Sequence, residues 1–169
     1  VYPWMKSHHL GDINILVSFA LLPALGTFFV AVGAYDPQSL LMILPIGLLT
    51  VSILHANNTR DVKTDLQAGL GTITTSVSLM NAKAIYTFEI FAPYALALLY
   101  VVLLGQPWTL LAVVLTLPLA LRNVRTMIQA EDDLPYRGIQ RLDQTTAQLQ
   151  MAFGLLYALG FFLGSWLGV

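Results

Sequence analysis

Residues 55–69, His55-Ala-Asn-Asn-Thr-Arg-Asp-Val-Lys-Thr-Asp-Leu-Gln-Ala-Gly69, set an adjacent pair of amides, two carboxylates and two cations into a chain that is otherwise mostly hydrocarbon. Read as a helix, Asn57, Asp61 and Asp65 recur at i, i+4 and i+8, and Asn58 stands three before Asp61. Their oxygens therefore project from roughly one face. Two carboxylates one turn apart can grip a divalent cation. Mg2+ takes oxygen ligands, keeps several waters and is commonly shared between one or two carboxylates and a substrate phosphate. The spacing thus predicts a Mg2+ site at Asp61 and Asp65, set up for a phosphorylated ligand. The same charges would also suit a solvated loop. Against that, the segment follows an apolar run with no turn residue between, which places Asn57, Asn58 and Asp61 at the membrane interface or bundle mouth, where polar groups are more often functional.

The elements that position these residues are read from composition. The chain is 57% hydrophobic and 10% charged, with a mean hydropathy of +0.73, where a soluble domain carries about 25% charged residues. This is the composition of a membrane protein. Eight Lys+Arg against nine Asp+Glu give a net charge of −1, so no basic field points to nucleic acid. The absence of cysteine excludes disulfides, thiolate metal sites and cysteine nucleophiles. The chain opens Val1-Tyr2-Pro3-Trp4-Met5, with no initiator Met and no charged leader ahead of a cleavage site, and reads as the continuation of something longer.

A helix needs roughly 20 apolar residues to cross a hydrocarbon core of about 30 Å. Uncharged or nearly uncharged runs at residues 13–35, 38–54, 82–104, 108–128 and 144–168 meet or approach that length, predicting an all-α, polytopic bundle of five spans in one domain over residues 1–169. Residues 72–80, rich in Ser and Thr, fit a short helix or a loop. Asp36-Pro37 and Gly105-Gln106-Pro107 mark turns. Lys6 precedes the first span; Arg60, Lys63 and Lys83 fall at the second-to-third connection; Arg122, Arg125, Arg137 and Arg141 fall between the fourth and fifth. By the positive-inside rule, the N-terminus and both long polar connections face the cytoplasm. In a bacterium the membrane would be the inner one.

The pattern Asn57-Asn58-x-Arg60-Asp61-x-x-x-Asp65-x-x-x-Gly69-x-x-Thr72 resembles the second aspartate-rich motif of the UbiA superfamily of intramembrane aromatic prenyltransferases. Lys6-x-x-x-Leu10-Gly11-Asp12 resembles the entry to the span that begins the second half of those enzymes. The likeness is greatest to the branch that prenylates dihydroxynaphthoate in menaquinone (vitamin K2) synthesis. It implies a nine-helix bundle of which these spans are the last five. It implies Mg2+-dependent transfer from a polyprenyl diphosphate to an aromatic acceptor within the lipid bilayer, with Asp61, Asp65 and Asn58 as the catalytic residues. The family's first aspartate-rich motif has no counterpart here, so a missing N-terminal half or a second subunit is expected to complete the site. Leu70 and Ser78-Leu79-Met80 stand where bacterial members often carry Lys and Arg-Leu-Gly, which leaves the sub-branch open.

Under that resemblance Arg60 and Lys63 are expected to hold diphosphate oxygens, Arg as a fork and Lys as a point charge. Asn57 and Asn58 ligate metal, orient a carboxylate or cap the helix. Lys6 binds substrate or anchors the interface, and Arg137 and Arg141 form part of a lid or anchor the membrane. Asp12 reads as a helix N-cap. Glu89, a carboxylate within a span, is a functional candidate of unknown facing. Glu131-Asp132-Asp133 reads as a solvated turn. His8, His9 and His55 show no partner set for a metal. Trp4, Trp108 and Trp166 read as interfacial belt residues. Rival readings are transfer to another aromatic acceptor such as hydroxybenzoate, a non-catalytic scaffold, and a cation transporter module. A transporter would carry polarity near mid-span, whereas here polarity gathers at one face.

Overall fold

A computed structural model describes residues 11–131, 133 and 135–169. Trp4, Lys6, His8, His9, Leu10 and Asp132 lie outside the described residues. In chain order the helices are α1 (Gly11–Val32), α2 (Pro37–Arg60), α3 (Val62–Gln67), α4 (Ile73–Ser76), α5 (Leu79–Leu104), α6 (Trp108–Ile128) and α7 (Leu142–Leu167). Five of them, α1, α2, α5, α6 and α7, are long and apolar enough to cross a membrane, and no strand occurs among the described residues. In hydrocarbon every backbone polar group must bond within its own segment, which is why such runs become helices. The chain is an integral membrane protein.

Local signals set the ends. Asp36 Oδ1 accepts from Gln38 N at 2.9 Å, with Pro37 as the first helical residue of α2. Thr72 and Thr75 form a reciprocal capping box that starts α4, so the ambiguous 72–80 segment is a single helical turn followed by the Ser78 cap of α5. Gly105, at φ 62°, ends α5 in a conformation that a side chain would strain. Pro23 cannot donate to the turn before it, and that turn, Val17–Leu21, widens to a π turn, with Leu22 N bonded to Val17 O.

Helices α2, α5, α6 and α7 close a ring in which each touches its two neighbours, while α1 packs chiefly on the outside of α2. Small residues permit the close crossings. A Cβ on Gly160 would stand 2.9 Å from the Leu110 Cα, and one on Gly164 would stand 2.3 Å from Pro107 Cβ, so α6 and α7 meet backbone to backbone. Gly47 makes room for side chains of α1, whose Leu16 Cδ1 would be 2.6 Å from an added Cβ. The interior is filled by Leu49, Tyr86, Ile90, Leu110, Leu149 and Phe153. The Tyr94 and Phe153 rings meet edge to face at 5.2 Å.

Hydroxyl and amide groups staple the ring. Tyr86 and Thr146 (2.6 Å) join α5 to α7, and Tyr94 and Thr116 (2.6 Å) join α5 to α6. Tyr100 donates to Leu41 O at 2.6 Å, and Gln150 donates to Thr50 Oγ1 at 2.6 Å. Each such bond contributes on the order of 0.6 kcal/mol within a bilayer. Outward positions such as Val30, Phe88, Leu115 and Phe162 are exposed and apolar, as a lipid-facing surface requires.

Candidate functional site

The last turn of α2 delivers the polar stretch to one end of the bundle. Helix α2 runs unbroken from its apolar body through Asn57, Asn58 and Thr59 to Arg60, so no loop separates span from motif. At Asp61 the backbone leaves the helical region (φ −93°, ψ 7°), then resumes as α3. The expected single helix is therefore kinked. Asp61 N still donates to Asn57 O at 3.0 Å and Asp65 N to Asp61 O at 2.9 Å, so the i, i+4, i+8 stacking survives the kink. Asp65 is buried, and Asp61 is half-buried.

Asn58 is buried, and its Oδ1 accepts no hydrogen bond. A buried carbonyl oxygen without a donor is costly unless something else takes it up. With Asp61 and Asp65 it makes an all-oxygen set, the donor chemistry that a hard dication takes. The residues present thus fit Mg2+, as a half-set.

Arg60 is more tied up than expected. Its Nε and Nη2 fork onto Asp61 at 2.8 and 3.0 Å, Nη2 also donates to Asn57 Oδ1, and Nη1 donates to Asp143 Oδ2 at 2.7 Å. Most of its donors are thus already used, and a diphosphate would have to displace one of these partners. Asp143, in the first turn of α7, also accepts from Gln144 N at 2.9 Å, and a carboxylate there is favoured by the helix dipole. In sequence Asp143 stands at the edge of the polar connection between the fourth and fifth spans. Its position one residue before the apolar run 144–168 is the available signal.

Lys63 is exposed, as are Arg137 and Arg141 on the connection into α7. The structure brings none of these three into the Arg60 cluster. Lys83 instead reaches across to donate to Ala130 O at 2.7 Å, closing the same end of the bundle. Trp108 and Trp166 are exposed near span ends, as belt residues should be.

One expectation is corrected. His55 was assigned no metal partners because none is near it in sequence. In the fold, Asp12 and Glu89 each bring a ligand atom to the imidazole, and these atoms lie within 4.8 Å of one another. Glu89 faces inward, and it is the packing of α1 and α5 on α2 that assembles the trio. Among the described residues this is the trio of acidic and imidazole groups that comes together; Asp61 and Asp65 gain no third such ligand.

Toward the opposite end, α1, α2 and α7 bound an apolar cleft of about 920 Å3, lined by Phe19, Ala24, Phe28, Met42, Ile46 and Tyr157 among others. The sequence model of the UbiA prenyltransferase family matches residues 1–137. The chain belongs to the UbiA prenyltransferase family. It is 32% identical over 158 residues to UbiA prenyltransferase domain-containing protein 1 of Gallus gallus, covering 91% of this chain and 44% of that protein. It is 31% identical over 155 residues to the Homo sapiens protein of that name, with 91% and 43% covered. A Drosophila melanogaster homolog is 33% identical over 154 residues, with 88% and 39% covered. The chain therefore spans less than half the length of these UbiA relatives. All three are animal proteins, which lends no support to a bacterial inner membrane.

Proposed function

We propose that this chain is the C-terminal part of a UbiA-type enzyme that transfers a polyprenyl group from its diphosphate to an aromatic acceptor, with dihydroxynaphthoate, on the route to menaquinone, as the favoured acceptor. The single observation that supports this reading is the buried Asn58 Oδ1 that no donor takes up, on the stretch of chain that also carries Asp61 and Asp65. An N-terminal half, or a second subunit, supplies the other aspartate-rich motif. In this reading the mouth faces the cytoplasm.

Asp61, Asp65 and Asn58 would hold Mg2+, which as a Lewis acid stabilises the negative charge that the leaving diphosphate takes up. Arg60, freed from one carboxylate, forks onto phosphate oxygens. Lys6, Lys63, Asn57, Arg137 and Arg141 are the further substrate contacts of this proposal. The carbon–oxygen bond to diphosphate breaks, the allylic carbon bonds to the electron-rich ring, and the ring loses its carboxylate, as the naphthoate acceptor would, or a proton. The apolar cleft accommodates the isoprenoid chain, keeping it within the bilayer.

The test is incubation of the native polypeptide, purified in detergent, with labelled geranylgeranyl diphosphate, Mg2+ and either dihydroxynaphthoate or hydroxybenzoate. A Mg2+-dependent prenylated naphthalene product is expected. Prenylated hydroxybenzoate alone would move the acceptor, and no prenylated product with either would leave the scaffold reading.

A further inference from the structure

The trio of Asp12, His55 and Glu89 is independent of the aspartate motif. His55 precedes Asp61 by six residues on α2, which at about 1.5 Å per residue puts it roughly 9 Å deeper into the bundle. His55 is fully buried, and Glu89 is 5% exposed. His55 Nδ1 stands 3.5 Å from Glu89 Oε1, and Asp12 approaches from α1. Neither His55 nitrogen makes a hydrogen bond of normal geometry, and Glu89 Oε2 has none either. His55 and Glu89 thus lie buried in an apolar bundle with polar atoms that no hydrogen bond takes up, and the half-buried Asp12 carboxylate reaches toward them. Such groups are expensive at that depth and need a partner.

Charge narrows the choice of partner. As a cation, His55 balances one carboxylate and leaves the other uncompensated. A dication held by a neutral imidazole and two carboxylates brings the total to zero, and neutral imidazole is the form that ligates. A nitrogen with two carboxylate oxygens suits Zn2+ and other first-row dications, whereas Mg2+ prefers oxygens alone. Bond lengths of about 2.0–2.2 Å around zinc hold ligand atoms roughly 3.4 Å apart, so side-chain atoms of the trio that now lie up to 4.8 Å apart close by up to about 1.4 Å on binding. The Ala82 carbonyl lies beside the imidazole, where the second nitrogen of a metal-bound histidine finds its acceptor.

We propose that Asp12, His55 and Glu89 form an intramembrane site for a first-row transition dication of the zinc class, joining α1, α2 and α5 and leaving a fourth position open. The site is separate from any Mg2+ at Asp61 and Asp65, and the proposal does not rest on prenyl transfer.

The experiment is a Co2+ titration of the native polypeptide, purified in detergent without a polyhistidine tag and stripped with chelator, in excess Mg2+. About one Co2+ per chain is expected, with visible absorption bands of a nitrogen- and oxygen-ligated ion. His55→Ala should abolish the bands, Glu89→Gln and Asp12→Asn should weaken binding at least about tenfold, and Asp65→Asn should leave the bands in place. Absence of saturable binding by the wild-type protein would mean that protons alone balance the trio, and would overturn the proposal. So would bands that persist in His55→Ala. Because the wild-type titration is decisive by itself, a variant that fails to fold leaves the answer intact.

Discussion

Arg60 Nη1 lies 2.7 Å from Asp143 Oδ2, across 83 residues of chain. This contact locks the end of α2 to the first turn of α7 and sets the resting shape of the mouth. Both side chains are partly exposed, so their coupling is discounted for solvent screening. A double-mutant cycle of Arg60→Gln and Asp143→Asn, read by thermal unfolding in detergent, should give a coupling of about 0.5 kcal/mol. A coupling indistinguishable from zero would show that the pair does not hold the mouth.

The central carboxylates should be indispensable to the proposed transfer. Asp61→Ala or Asp65→Ala in the native enzyme should lower Mg2+-dependent prenyl transfer by roughly two orders of magnitude or more. Near-normal turnover in either variant would remove the metal assignment.

The Tyr86–Thr146 bond predicts an asymmetry. Thr146 Oγ1 also donates to Leu142 O at 2.6 Å, so the Tyr86 hydroxyl is the donor between the two. Thr146→Val strands that buried hydroxyl and should cost about 1–2 kcal/mol, whereas Tyr86→Phe removes the donor cleanly and should cost less. Equal losses in chemical denaturation would contradict the assigned direction.

Gly160→Ala places a Cβ 2.9 Å from the backbone of Leu110 and Thr109. Backbone cannot move aside as a side chain can, so α6 must shift from α7, at a cost of about 1–3 kcal/mol. An unchanged melting temperature would argue against so close a crossing.

The cleft should set chain length. Ala24→Trp fills space beside Phe28 and Met42, and long prenyl diphosphates should be lost as substrates before short ones. Product profiles over a series of chain lengths check this, and a parallel loss at all lengths would place the isoprenoid elsewhere.

The spans were readable because hydrocarbon leaves the backbone no alternative to helix, and their predicted ends lie within a few residues of those observed except where α2 runs on through the polar motif to Arg60. The helical backbone of the motif was readable too, since Asn57, Asn58, Asp61 and Asp65 sit close together in sequence and the i, i+4 backbone bonds run through them. What could not be read was anything made by packing one span on another. Asp143 meets Arg60, and Asp12 and Glu89 meet His55, only because α7, α1 and α5 lean on α2. No local period encodes those meetings. The kink at Asp61 was equally hidden, because neither Gly nor Pro marks it.

The ring is closed by contacts of long sequence separation: Gln150 to Thr50 spans 100 residues, and Tyr157 to Met42 spans 115. During synthesis α2 enters the bilayer well before α7 exists. Until then Thr50, the Met42 carbonyl and Arg60 wait without their α7 partners, and among the described helices α2 has only α1 and α5 as long neighbours. A chain halted before residue 142 therefore lacks the contacts that close this ring, and its apolar and polar ring-facing groups stay uncovered.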